Sequence, residues 1–419
     1  MENTTFFTEL LGIQSPWYIT EVSLNQKKRR VDIYVQHKSN IRFPCPECQQ
    51  FCSIYDHTPE REIRHLNTCH MATFIHVRLP RINCPLHGVQ QIVSGLSDKN
   101  VTMTFEFESF VLNLQQECSI ESVCRLLNLD WHSCQRIQEQ AVARGFSRKP
   151  HAIPKRIGVD EKSFAKGHTY ETLVYDLDKG CVEYVCDDRE QASLESYYKR
   201  FKQEERAAVE AVAMDMWDPY IAATKAYIPD AQEKITFDRY HVMKIVITAV
   251  DKVRKQEHRM LMEQNNSLLK GTKYLWLWNE ENIPEYRREE FDELRSKELK
   301  VCRARAIKEQ LRYLWDYNKS GWMRRFFNDW YWWAVHSRLK PIIDAAKSIK
   351  THLDNIITYA KHKITNALGE SLNSKIEKVK RLACGYRNRD HYKTAIYFHC
   401  GSLDLYPRRE LIPLQIIPA

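Results

Sequence analysis

A chain of 419 residues exceeds one ordinary core and divides into two to four domains. Hydrophobic residues at 43% and charged residues at 28% exclude wholesale disorder, and the start MENTTFFTELLGI has neither the basic leader nor the long apolar core of a signal peptide. With 63 Lys+Arg against 54 Asp+Glu, a formal +9, and no run near the ~18 apolar residues of a membrane span, the expectation is a cytoplasmic protein with a polyanionic partner and no membrane.

In chain order, VDIYV at 31–35 alternates like a strand behind the basic turn Lys27–Arg30. Five of thirteen cysteines fall between Cys45 and Cys84, which in a non-secreted chain reads as metal ligation rather than a disulfide framework. Cys45-Pro-Glu-Cys48 and Cys84-Pro-Leu-His87 are two pairs at two-residue spacing, enough to close a tetrahedral Cys3His zinc site of structural type. Cys52 and Cys69 are spare thiols, and His57, His65 or His70 could replace a ligand. The zinc ribbon is placed at 41–98 within an N-terminal region 1–98.

From about 104 the period becomes helical. FESFVLNLQQ, SIESVCRLLNL and DWHSCQRIQEQAVARG are three amphipathic stretches, the second capped by Ser119 and the third closed by Gly145. The last two resemble a helix-turn-helix over 99–147. The second of its helices, Trp131–Ala143, offers His132, Gln135 and Arg136 on a polar face that can reach phosphates or base edges. RKPHAIPKR, stiffened by Pro150 and Pro154, is a basic linker and a domain boundary.

Beyond it, RIGVDEKSF, ETLVYDL and CVEYVCDD are strands, followed by a helix, the strand EAVAMDM, a second helix and the strand EKITFDRYHV: a mixed α/β sheet. Asp160 and Asp215 each close a hydrophobic strand. On adjacent parallel strands they would meet at the sheet edge where α/β ligand sites form. Glu161, the next strand residue, should point to the opposite face. Only Gly271 and Gly321 fall between 181 and 368, so residues 241–355 read as helical. Seven of ten tryptophans lie there, as core or, at Trp332 and Trp333, as surfaces for bases or a second subunit. KHKITNALGESLNSKIEKVKRLACGYRNRDHY reads as one helix with a basic end, where residues 373–393 carry seven basic and two acidic side chains. Its Glu370 offers a third oxygen donor, although the stripe Leu368, Leu372, Ile376, Val379 lies roughly opposite it. Three carboxylates suit Mg²⁺ or Mn²⁺.

CPEC…CPLHG, the helix-turn-helix, IGVDE, VAMDMW, FDRYHV and GESLNSKIEKVKRLACGYRN together resemble the ISL3 family of bacterial insertion-sequence transposases over nearly the whole chain. The resemblance implies a DDE transposase with a ribonuclease-H-like catalytic domain (148–240 plus 356–400), interrupted by a helical insertion (241–355) and followed by a tail (401–419). By motif position Asp160, Asp215 and Glu370 are the metal-binding catalytic triad, with Asp238 and His241 in a supporting role beside them. The zinc module and helix-turn-helix would recognise terminal inverted repeats in double-stranded DNA, and two chains would pair two ends. Lys375, Lys378, Lys380, Arg381, Arg387 and Arg389 would track the DNA backbone. Glu377, where relatives often carry a basic or amide residue, departs from the pattern. Two further readings share these motifs: a catalytically inactive or domesticated DNA-binding regulator, and a structure-specific nuclease that cuts without joining.

Overall fold

Val31, Ile33 and Val35 form the buried side of a strand at Arg30–His37, as a period of two requires. In this computed structural model, which describes residues 3–97, 102–165, 169–364, 367–408 and 415–416, that strand belongs to the first of two units. The first unit comprises Met1–Lys149, Leu382–Gly385 and Leu403–Ala419, the second Pro150–Arg381 and Tyr386–Ser402.

In the first unit Trp17–Asn25, Arg30–His37, Met71–Val77 and Arg61–Thr68 form a sheet in that order, parallel only at its centre. Two small sheets, built on Ile41–Pro44 and on Pro80–Cys84, share its core through Phe43 and Ile82. Three helices follow: α1 (Phe105–Glu117), α2 (Ile120–Leu127) and α3 (Trp131–Arg148). Each has a side-chain N-cap, Thr104, Ser119 and Asp130 in turn, and Asn128 supplies the left-handed C-cap that turns α2 toward α3. The expected limit at 98–99 lies outside the described residues.

Gly145 does not end α3, which continues to Arg148. Its missing side chain serves close approach instead: a Cβ there would lie 2.6 Å from Leu403 Cβ. Residues 403–408 are fastened along this helix by Arg144 to the Leu405 carbonyl (2.6 Å) and Arg148 to the Tyr406 carbonyl (2.7 Å), and to α1 by Tyr406 Oη donating to Asn113 Oδ1 (2.6 Å). Residues 403–408 thus pack within the first unit.

The second unit is a mixed sheet of β1 (Arg156–Ala165), β2 (Thr169–Asp176), β3 (Cys181–Asp187), β4 (Ala211–Met214) and β5 (Ile235–Phe237), ordered β3-β2-β1-β4-β5. The first three strands pair antiparallel, while β1, β4 and β5 run parallel. β1 passes straight through Asp160 because β2 pairs with it to Ala165, so this aspartate is not at a strand end. The expected strand EKITFDRYHV extends over only three residues, since Asp238 caps α4 (Arg239–Glu263). One sheet face, with Val159, Val174 and Val212, packs under α4 and the helices that continue to 362. Trp276, Trp315 and Trp330 are core there, Trp333 packs against that core, and Trp332 is exposed and rests on His336.

The other face, with Leu173, Tyr175 and Val182, is covered by α5 (Ala367–Leu382) and α6 (Arg389–Cys400) through Leu372, Ile376, Tyr392 and Ile396. The single expected helix is thus two. Cys384 and Gly385 take positive φ between them, and Asn388 caps α6 by accepting from the Asp390 and His391 amides. Among the described residues no helix is long and apolar enough to cross a membrane.

Arg389 fastens α6 to the sheet rather than facing outward. Its Nε lies 2.8 Å from Glu171 Oε1 and 2.9 Å from Asp187 Oδ1, and its Nη2 donates to the Tyr170 carbonyl. Burial pushes the Glu171 carboxyl up and Arg389 works against that. Arg389→Met leaves a buried carboxylate unpaired and should lower stability by about 3 kcal/mol in denaturant unfolding. Arg387→Met, at an exposed neighbouring position, should change it by less than about 0.5 kcal/mol.

Candidate active site and zinc centre

The parallel pairing of β1 with β4 matches Ile157 to Val212 and Gly158 to Ala213. Two residues further along, the same register sets Asp160 beside Asp215, just past the end of β4. Asp160 Oδ1 accepts from the Glu161 amide (2.7 Å) and Oδ2 from Asn373 Nδ2 (2.7 Å). Asn373 Oδ1 accepts in turn from the buried Tyr175 hydroxyl (3.0 Å). Asp215 Oδ1 lies 2.8 Å from His241 Nε2. The two groups form an ion pair when the imidazole is protonated, and Asp215 Oδ1 is buried with no other partner among the described residues.

Negative charge is crowded here. Burial, then Asp215, pushes the Asp160 carboxyl up to about 6, against the opposing pull of the Glu161 amide, His241 and Asn373. Asp238 is also raised, by burial first and then by Glu370 and Asp215. Burial lowers His241, but Asp215, Asp238 and Asp160 outweigh it and raise the imidazolium above its ordinary range. A carboxylate set this poor in compensating cations fits a divalent ion.

Glu370 stands one turn before Asn373 on α5, exposed, close enough for its charge to act on Asp238. Among the described residues the groups of three or more ligand atoms lying within 4.8 Å of one another are Cys45, Cys48, Cys84, His87 and Asp32, Glu62, His76, so the triad is not drawn that tightly together. In the second of these groups the Arg30 guanidinium already bridges Asp32 and Glu62. Glu161 follows strand alternation to the face opposite the Asp160 side chain, where it pairs with Arg189 at 3.2 Å and lines a cavity together with Asp215 and His241.

One edge of α5 runs along β1. Asn373 meets Asp160, Glu377 pairs with Lys162 (3.0 Å), and Lys380 donates to the Ser163 carbonyl (3.0 Å). The Lys162 bond holds Glu377 below the usual carboxylate range, so this departure from the family pattern is a clasp on the strand. Lys375 donates to the His399 carbonyl (2.5 Å), whereas Lys378, Arg381 and Arg387 are exposed. On α3, His132 and Arg136 are exposed. Gln135 is not on the polar face: it is 3% exposed and donates to Glu139 (2.9 Å), because the α1–α3 contact, where Gln115 donates to the Cys134 carbonyl, covers it.

In the first unit the two knuckles converge. Cys48 and Cys84 sulfurs are 3.6 Å apart, and His87 Nδ1 lies 3.6 Å from Cys84 Sγ and 3.8 Å from Cys45 Sγ. These match the ~3.8 Å edge of a tetrahedron with zinc–sulfur bonds of about 2.3 Å. Desolvation pushes the Cys84 thiol up, but the Leu86 and His87 amides outweigh it and bring it to about 7, toward the thiolate a metal needs. The spare candidates are engaged or distant. Cys52 donates to the Gln50 carbonyl, His57 contacts His37, His65 contacts Thr104, and Cys69 and His70 form a strand turn.

Asn373 and Tyr175 were not singled out from the sequence. The signal for Asn373 was its place three residues after Glu370, on the same side of a helix.

A family model described as a transposase, of the DDE class and ISL3 group, matches residues 157–396, and one described as the zinc-finger of transposase IS204/IS1001/IS1096/IS1165 matches residues 42–87. The chain is 24% identical over 369 residues to the transposase for insertion sequence element IS1001 of Bordetella parapertussis, covering 87% of this chain and 90% of that one. It is 25% identical over 417 residues to the transposase for insertion sequence element IS1557 of Mycobacterium tuberculosis, covering 93% of each. With more than half of its length inside the transposase match, the chain belongs to the ISL3 family of DDE transposases.

Proposed function

We propose that this transposase cuts the ends of its insertion sequence and joins them to target DNA with Asp160, Asp215 and Glu370 as the ligands of two divalent ions, Mg²⁺ in the cell. The observation that carries this assignment is the register of β1 on β4, which sets two aspartates side by side, where burial and then Asp215 raise the Asp160 carboxyl. When bound, such ions supply the Lewis acidity and the activation of the attacking hydroxyl that phosphoryl transfer requires. The protein's own part is positioning. The Glu161 amide and Asn373 fix both oxygens of Asp160, His241 holds Asp215, and α5 presents Glu370 at the same edge. Three antiparallel strands followed by two parallel ones in the order β3-β2-β1-β4-β5 support a ribonuclease-H-like domain, with 241–355 as its helical insertion.

His132 and Arg136 on α3, together with the zinc module, would read the inverted repeats. Lys378, Arg381 and Arg387 would lie along the backbone near the cut. Pairing two ends calls for a dimer.

Zinc should accompany the protein at one ion per chain when it is purified without added metal. Elemental analysis of the Cys45→Ser/Cys48→Ser variant should find it lost, and full retention would remove these residues from the ligand set.

On duplexes carrying the element's own ends, Asp160→Asn, Asp215→Asn and Glu370→Gln should each reduce cleavage on the order of 10³-fold or more while end binding persists. Asn373→Ala, acting through Asp160, should cost about 10- to 100-fold. Cleavage by Glu370→Gln at the wild-type rate would exclude that residue from the triad.

A further inference from the structure

The cavity at Asp215 does not end at the carboxylates. It extends as a groove of about 830 Å³ between α4 and the helix Lys340–Thr351. α4 lines it at four-residue spacing with Lys244, Thr248, Lys252 and Gln256, and the facing helix does so with Lys340, Asp344 and Ser348. Ile245, Ala249, Pro341 and Ala345 make an apolar floor between these polar rims. Lys244, Lys252 and Lys340 are exposed, and among the described residues none has a carboxylate within ion-pair distance. At the catalytic end stands Trp217, two residues after Asp215 and 39% exposed. Its indole donates to the Arg189 carbonyl (3.0 Å), and the Arg189 guanidinium lies 5.0 Å from its ring centre, so the ring is held in place.

We propose that this groove binds an unpaired stretch of the DNA strand that carries the reacting phosphate, its bases on the apolar floor and on Trp217, its phosphates on Lys244, Lys252 and Lys340. The assignment rests on the transposase reading of the adjoining carboxylates. A duplex offers phosphates at its surface and keeps its base faces stacked inside, so it has nothing to place on an apolar floor. An unpaired strand offers both, and aromatic stacking between rows of lysines is how single strands are held without regard to sequence. Asp344 is the one acidic side chain along the groove beyond the catalytic end, and three lysines exceed it.

The test uses full-length protein without added divalent ion, and fluorescence anisotropy with a labelled 15-nucleotide oligothymidine and a 15-base-pair duplex. The triple variant Lys244→Ala/Lys252→Ala/Lys340→Ala should bind oligothymidine about 10-fold more weakly, and the slope of log affinity against log salt should shrink by about 2. Trp217→Ala should lose about 10-fold and Trp217→Phe less than about 3-fold, since a phenyl ring still stacks. Duplex affinity should hold in all of them, with thermal melts confirming the fold. Unchanged oligothymidine binding in the triple variant and Trp217→Ala, or an equal loss for duplex, overturns the proposal. The transposase reading is judged separately, by wild-type cleavage of the element's ends. If that fails while the variants still lose oligothymidine, the groove stands and the catalytic assignment falls.

Discussion

The parallel contact between β1 and β4 is the constraint on which the catalytic unit depends. It is short, with three residue pairs in register, yet it alone decides that two carboxylates 55 positions apart in the chain become neighbours. A slip of one residue would turn one of them to the other face of the sheet. The cost is electrostatic: burial first, and then this adjacency, push Asp160 up. The surrounding residues answer that strain without removing it: one imidazole, one side-chain amide and two backbone N–H groups, those of Glu161 and Tyr240, stand against Asp160, Asp215, Asp238 and Glu370. A carboxylate set of this kind suits the divalent ions proposed for it.

The second support is α5, whose two sides do different work. Leu372 and Ile376 bind it to the sheet, while Asn373, Glu377 and Lys380 clasp β1 residue by residue. Glu370 projects from the start of the same edge. The motif that marks the family therefore mixes chemistry with carpentry. Its asparagine bonds to Asp160 and its glutamate is the third ligand proposed above, whereas Gly385, Asn388 and Arg389 turn the chain and anchor the next helix.

Much of this was legible in the amino acids. Cysteine pairs at two-residue spacing announce a metal site because backbone turns of that length aim two ligands at one point, and the four side chains do converge. The hydrophobic runs before the two aspartates announced the strands, although only Asp215 follows a strand end. What could not be read is whatever depends on a partner distant in the chain. Gly145 resembles a helix stop until Leu403 is seen against it. Gln135 and Arg389 have the composition of DNA contacts, but Glu139 and Glu171 claim them. The helical stripe of α5 hid Glu370, because periodicity locates the buried side of a helix and says nothing of which flank meets a strand.

The central claim is that Asp160 and Asp215 form a divalent-cation site, and binding of Mn²⁺ to the zinc-loaded protein tests it most directly. Electron paramagnetic resonance of free Mn²⁺ titrated with wild-type protein should show the free signal depleted by saturable binding. The Asp160→Asn/Asp215→Asn variant, folded and still holding its zinc, should leave that signal undepleted. Equal Mn²⁺ uptake by the two proteins would contradict the account.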